Sequence, residues 1–191
     1  MTTWWWVRHG PTHERAFAGR RDVPADLSDT ARIARLGAAL PRDALVVSSD
    51  LRRAVQTADA IAGGRVRLPH APALREFDFG DWEGVGFDEV AARDPALSRR
   101  YWESPGDVAP PGGESWNAAA RRVAPFVDRM NQHHPGGHIV AVAHMGVIAT
   151  QIGRAGGLTP KEAIRYRIEP LSVTRLDFDG DWRVVCVNLC P

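Results

Sequence analysis

The sequence predicts an α/β protein, a three-layer α/β/α sandwich around a mainly parallel central sheet. Strand-like and helix-like segments alternate along the chain, the pattern of a parallel sheet covered by helices. Three apolar strands also end in polar residues, at Arg8-His9-Gly10, Ser48-Ser49-Asp50 and His144-Met145-Gly146. Open α/β sheets bind ligands just outside the carboxyl ends of their strands. Fold and chemistry therefore point to one rim.

Taken in order, Thr3 to Val7 reads as the first strand. Ser28 is expected to cap a helix through about Leu40, whose apolar positions are Ala31, Ile33, Ala34, Leu36 and Leu40. Ala44 to Ser48 is a short buried strand, and a helix from about Leu51 to Ala62 is ended by Gly63-Gly64. Val66 to Leu68 is a short strand before the proline-bounded segment Pro69 to Pro72. Residues 77–113 are rich in Gly, Pro, Asp and aromatics, with helices near Phe87 to Arg93 and Leu97 to Trp102. They read as an excursion over the active-site rim within a single domain spanning 1–191. Ser115 caps a long helix toward His133, His138 to Ala143 is the clearest buried strand, and Gly146 to Arg154 is a helix. Strands at Ser172 to Phe178 and Trp182 to Val187 close the chain around the turn Asp179-Gly180-Asp181.

Composition narrows the function classes. At 191 residues, 44% hydrophobic and 25% charged, the chain has the profile of one soluble globular domain. With 24 basic against 23 acidic residues there is no basic excess for nucleic acid, and no basic amphipathic stretch for a membrane surface. Lys161 is the only lysine, so almost all positive charge is arginine, the side chain that grips anions with two parallel donors. A GC-rich genome is the bland explanation. No apolar stretch reaches the roughly 20 residues of a membrane helix, and Met1-Thr2-Thr3-Trp4 lacks the charged region of a signal peptide. Cys186 and Cys190 are the only cysteines, so a cytoplasmic location with reduced thiols is expected. With His133, His134 and His138 distant from that pair in sequence, no metal site is expected.

Four segments carry chemistry. A neutral imidazole at a strand end, beside a fixed cation and backed by glycine, suits His9 to attack a phosphoryl group. Ser48 to Thr57 runs from strand directly into helix, so backbone N–H groups and the helix dipole face that rim. Arg52 and Arg53 lie about 100° apart on that helix, so only one enters a site. Alternatively, both are surface residues paired with Asp50 or Asp59. In Leu74 to Gly84, acidic residues interleave with aromatics, an environment that raises the pKa of a proton-donating carboxyl group. For Asp78, Asp81 and Glu83 an ordinary polar loop is preferred. His144 opens a helix at the same rim as His9 and is placed to hold a phosphoryl oxygen.

These segments, with the Gly19 to Ser28 stretch, Pro111-Gly112-Gly113-Glu114-Ser115, Val142 to Ile148 and Ser172 to Leu176, resemble the histidine phosphatase superfamily nearly end to end. The branch resembled includes cofactor-dependent phosphoglycerate mutase, fructose bisphosphatase domains and α-ribazole phosphatase. The resemblance implies a phosphoglycerate mutase-like fold and a metal-independent phosphomonoesterase of the histidine acid phosphatase type. His9 would be the nucleophile that becomes phosphorylated, and Arg8, Arg53 and His144 would line the phosphate pocket. Arg53 is chosen over Arg52 because the family arginine immediately precedes the Ala of Arg-Ala. Glu76 falls where the family's proton donor lies, and Thr12 would contribute a hydroxyl near the phosphate. Two positions depart from the pattern. Arg15 replaces a phosphate-contacting asparagine, and either adds charge at the pocket mouth or points away. Met145 replaces the first glycine of the usual His-Gly-Gly and narrows the site.

The expected activity is hydrolysis of a small phosphorylated metabolite through a phosphohistidine, with no cofactor. Its rivals are a phosphoglycerate mutase-type phosphotransferase, for which Arg15, Arg20 and Arg21 would bind a second anion, and a non-catalytic binding protein on the same fold. Specificity is expected from residues 77–113 and the Arg15 to Asp22 loop. There Trp82, Phe87, Tyr101, Trp102 and Trp116 either pack or stack on an aromatic substrate of nucleotide or ribazole type. Oligomeric state is not legible.

Overall fold

Side chains of β1 (Thr2–Arg8) alternate between two apolar layers, as the two-residue period of a strand requires. Trp4 and Trp6 enter one layer, stacked with ring centroids 5.1 Å apart, and Val7 enters the other. The computed structural model describes all residues, Met1–Pro191, and places β1 at the centre of a five-stranded sheet. With β2 (Leu45–Ser48), β3 (His138–Ala143), β4 (Val173–Asp179) and β5 (Asp181–Leu189), the spatial order is β2-β3-β1-β4-β5. β2, β3 and β1 pair in parallel, whereas β4 pairs antiparallel with both β1 and β5. Only β4 therefore runs against the other four, and the expected mainly parallel sheet is mixed at this one edge.

α1 (Thr30–Ala39) and α2 (Arg52–Ile61) cover one face, burying Ile33, Leu36, Ala54, Ala58 and Ile61 against Val7, Val140 and Val142. On the other face lie α5 (Trp116–His133), α6 (Met145–Gly156) and the short α7 (Pro160–Ala163). Their Val123, Val127, Ile148 and Ile152 pack on Trp4, Trp6, Ile139 and Ala141. The excursion contributes α3 (Phe87–Arg93) and α4 (Pro95–Glu103), which fold over a separate small core of Phe17, Trp82, Val90 and Tyr101. No helix is long and apolar enough to cross a membrane.

Local details shift some boundaries. The cap of α1 is Asp29, whose carboxylate accepts from Arg32 N at 2.9 Å; Ser28 sits one residue early and donates its own N–H to Asp26. Val66 to Leu68 makes one parallel bridge, Arg67 to Val46, and does not extend into a strand. Pro69 follows at once and has no N–H for a ladder. α4 starts earlier than expected, at Pro95, because Asp94 caps it through Leu97 N. α6 starts at Met145 and runs to Gly156, ended by Gly157 in the left-handed conformation.

The α1 cap separates these assignments in solution. Asp29→Ala is expected to lower unfolding stability by about 1 kcal/mol in urea titrations. Ser28→Ala is expected to stay within about 0.5 kcal/mol, as exposed substitutions do.

Candidate active site

The register of the two central parallel strands builds the site. Arg8 pairs with Ala143, so the next residue of each strand, His9 and His144, leaves the sheet at the same level. His9 N–H donates to the Ala143 carbonyl at 3.1 Å, and the two imidazoles face each other with centroids 5.0 Å apart. One strand further, β2 ends at Ser48 and the first turn of α2 brings Arg53 under both rings.

Arg53 is 1% exposed, and every nitrogen of its guanidinium is engaged. Nε lies 3.2 Å from both His9 Nε2 and His144 Nδ1, and its N–H is shared between them. Nη1 donates to the Arg21 carbonyl, and Nη2 to the carbonyls of Ala18 and Gly19, at 2.7–2.8 Å. A guanidinium has donors and no acceptor, so both ring nitrogens facing Nε must carry lone pairs. His9 therefore holds its hydrogen on Nδ1, donated to its neighbour's carbonyl, Gly10 O, at 2.7 Å. His144 holds its hydrogen on Nε2, which is enclosed and has no partner within the protein. Arg8 is anchored by Nη1 on the Ile168 carbonyl at 2.6 Å, and its Nε is likewise enclosed and unpartnered. Burial above all, then Arg53 and Arg8, push His9 from the ordinary 6.5 down to about 3, against the opposing Gly10 bond. Burial, His9 and Arg53 push His144 well below its ordinary value too. Both rings are thus neutral in the physiological range.

Glu76 comes from the segment that enters the excursion. Its Oε2 accepts from Gly146 N at 3.1 Å, in the first turn of α6, and its Oε1 from Phe77 N at 3.0 Å. The approach depends on glycine: a Cβ on Gly146 would sit 2.6 Å from Glu76 Oε1 and 3.0 Å from the Phe77 ring. Arg122 on α5 pins the same segment, donating to the Ala73 carbonyl at 2.6 Å while paired bidentately with Glu114.

Arg8, His9, Arg53 and Glu76 line one end of a cavity of about 230 Å³; Thr12 and Met145 also line it, with Glu14, Ala16, Phe17, Ala18, Phe79, Phe87 and Trp102. Arg15, a candidate phosphate ligand in the sequence, is exposed and outside this lining; its neighbour Glu14, exposed as well, is the one that lines the cavity. His144 stands behind His9 and Arg53 and is fully buried. Two wider hollows, of about 450 and 550 Å³, contain no histidine. In the first, Asp50 and Arg75 neutralise each other through two hydrogen bonds. The chemistry belongs to the smaller cavity.

The arrangement offers a lone pair on a neutral imidazole, one buried and one half-buried cation, two unpartnered donors and a carboxyl group. Buried donors left unpaired cost about 1–3 kcal/mol each, so an anion that reaches them is favoured. Sequence reading missed Gly146, Arg122 and Glu114 as supports. Glu114 stood in a quoted motif without a role, and the Gly after Met145 was the available sign of close backbone approach.

Comparison with known proteins shows the family and the fold. Residues 4–189 match the family model described as the histidine phosphatase superfamily (branch 1). The bifunctional protein Rv2228c of Mycobacterium tuberculosis is 33% identical over 95% of this chain, which spans about half (52%) of that relative's length. A glucosyl-3-phosphoglycerate phosphatase of Mycolicibacterium vanbaalenii is 37% identical over 80% of this chain and 73% of its own. The solved mycobacterial glucosyl-3-phosphoglycerate phosphatase Rv2419c superposes with a TM-score of 0.87 over 99% of both chains, at 29% identity.

Two measurements check the site's construction. The folded-state pKa of His9 lies below the unfolded value, so its stabilising contribution is complete above pH 6.5 and fades as pH falls toward about 3. The His9 and His144 ring signals in NMR are accordingly expected to stay at neutral positions from about pH 8 to about pH 4. Stability should fall below pH 6.5 by up to about 1.4 kcal/mol per pH unit for each histidine, and less steeply in His9→Asn. Gly146→Ala is expected to displace Glu76 and cut turnover about 100-fold while the fold persists, as circular dichroism would show.

Proposed function

The chain belongs to the histidine phosphatase superfamily, and we propose that it hydrolyses small phosphomonoesters through a phosphohistidine on His9. The observation that carries this is the protonation state forced on His9: hydrogen on Nδ1, held by the Gly10 carbonyl, and a lone pair on Nε2 inside the cavity. That nitrogen attacks phosphorus in line. The N–P bond forms as the ester P–O bond breaks, and Glu76, as the carboxylic acid, gives its proton to the departing oxygen. Water then attacks the phosphohistidine, Glu76 takes its proton, and the N–P bond breaks to release orthophosphate and free His9.

Charge in both steps is spread over the phosphoryl oxygens, so positioned cations and donors supply most of the stabilisation. Arg8, in the cavity lining, donates to those oxygens, and His144, enclosed behind His9 and Arg53, backs the pair. Arg53 turns its Nε–H from the His9 lone pair to the phosphoryl group, with its three carbonyl bonds keeping it in place. The arginines do the work a cation would otherwise do. The phosphatases among the relatives support hydrolysis. A mutase would need a second anion site. Of the three arginines available for one, Arg15 is exposed, Arg20 lines the separate 450 Å³ hollow, and Arg21 is paired with Glu14 at 2.8 Å.

His9→Ala is expected to abolish phosphate release from an aryl phosphate. Rapid quenching of the wild type should trap an acid-labile, base-stable phosphoprotein that the variant lacks. Retained turnover in the variant would remove His9 as nucleophile. A chelator should leave the wild-type rate unchanged; strong inhibition would indicate a metal-dependent route.

A further inference from the structure

Beyond its phosphate end, the cavity is apolar, aromatic and without a free cation. Phe17 is buried at its centre, with the rings of Phe79, Phe87 and Trp102 around it at centroid distances of 4.8, 4.6 and 6.2 Å. The Trp102 ring lies within 21° of parallel to that of Phe17, yet Trp102 is 39% exposed and Phe87 is 51% exposed. A small apolar hollow of about 30 Å³ shares Glu76, Phe79, Trp102 and Met145 with the cavity and reaches Tyr101, Trp116 and Ile164. Apolar surface thus continues past the proton donor, where the leaving group must lie.

Charge narrows the choice further. Apart from Arg8 and Arg53, the lining holds no arginine or lysine, and besides Glu76 its one carboxylate is Glu14. Arg21 pairs with Glu14 but does not itself line the cavity. A second anionic group on the substrate would meet this carboxylate, while its guanidinium partner, Arg21, stays outside the lining.

We propose that the site selects monoesters whose leaving alcohol carries one flat apolar ring and no second negative charge. Phe87 and Trp102 form the clasp that closes on the ring, and Glu14 discriminates against the second anion. The volume agrees: about 230 Å³ is below the roughly 300–1,000 Å³ of drug-sized sites, room for a phosphate and a single ring. This proposal rests on the phosphatase reading above.

Its test compares kcat/KM of the purified chain for benzyl phosphate, glycerol 3-phosphate and 3-phosphoglycerate. All three release alkyl alcohols, so leaving-group acidity does not decide the order. Benzyl phosphate is expected to exceed glycerol 3-phosphate about tenfold, the scale of one ring stacked on an aromatic side chain. 3-Phosphoglycerate should fall below both. Trp102→Ala and Phe87→Ala should each lower the benzyl-to-glycerol ratio several-fold, and Glu14→Gln should raise the phosphoglycerate-to-glycerol ratio. A benzyl-to-glycerol ratio near one, 3-phosphoglycerate as the best substrate, or ratios unmoved by the aromatic variants would overturn the proposal. If no ester is turned over, the phosphatase reading fails, and calorimetric titration with the same three esters decides the ligand class. The same order of affinity upholds it, and equal affinities overturn it.

Discussion

Arg53 gives one N–H to two histidines at once, 3.2 Å to each, from a position closed to solvent. Because an arginine nitrogen only donates, this shared bond dictates the tautomer of both rings. It turns His9 Nε2 into a lone pair and leaves His144 Nε2 as a free donor. A buried guanidinium is costly unless its remaining hydrogens are satisfied, and here the carbonyls of Ala18, Gly19 and Arg21 do so. The path of the loop after β1 follows from that need. Gly19 fits beneath the excursion only without a side chain, since a Cβ there would lie 2.1 Å from the Phe77 carbonyl oxygen. The cation that polarises the site therefore also shapes the cavity wall.

Glu76 is placed by an independent set of supports. The first turn of α6 supplies Gly146 N, and α5 supplies Arg122, which ties the 73–76 segment to Glu114. Since α6 follows His144 directly, the helix that receives the carboxyl group springs from the strand that presents the second histidine. His9 and Glu76, the proposed nucleophile and acid, are thus referred to the same sheet edge. The relative placement of the proposed nucleophile and acid follows from β1–β3 register and the first turn of α6.

The excursion adds what the sheet cannot. Its aromatic residues build a small core on Phe17, and the outer members of that core face the cavity. The sheet edge that carries His9 is thereby joined to an aromatic wall from residues 77–113, the proposed specificity wall. Relatives of this chain carry different substrate names, which fits a division in which the scaffold holds the chemistry and other segments hold the choice of ester.

The amino-acid sequence by itself determined the alternation of strands and helices and the polar residues at the strand ends, and its resemblance to a known family added Arg53 and Glu76 to the rim of Arg8, His9 and His144. These are local properties, written in periodicity and in short motifs. The separation of Arg52 from Arg53 was also legible, because 3.6 residues per turn sends neighbours in different directions. Tertiary structure decided the rest. Arg15 and Glu14 are adjacent in an irregular loop, and only the packing of that loop shows Glu14 facing the cavity and Arg15 facing solvent. Asp29 displaced Ser28 as the cap because its carboxylate is the one that reaches Arg32 N, at 2.9 Å. The tautomers of the two histidines, the Gly146 contact with Glu76 and the Arg122 support all join residues 44 to 91 positions apart. Such pairings arise from strand register and helix docking, and no local pattern in the chain encodes them.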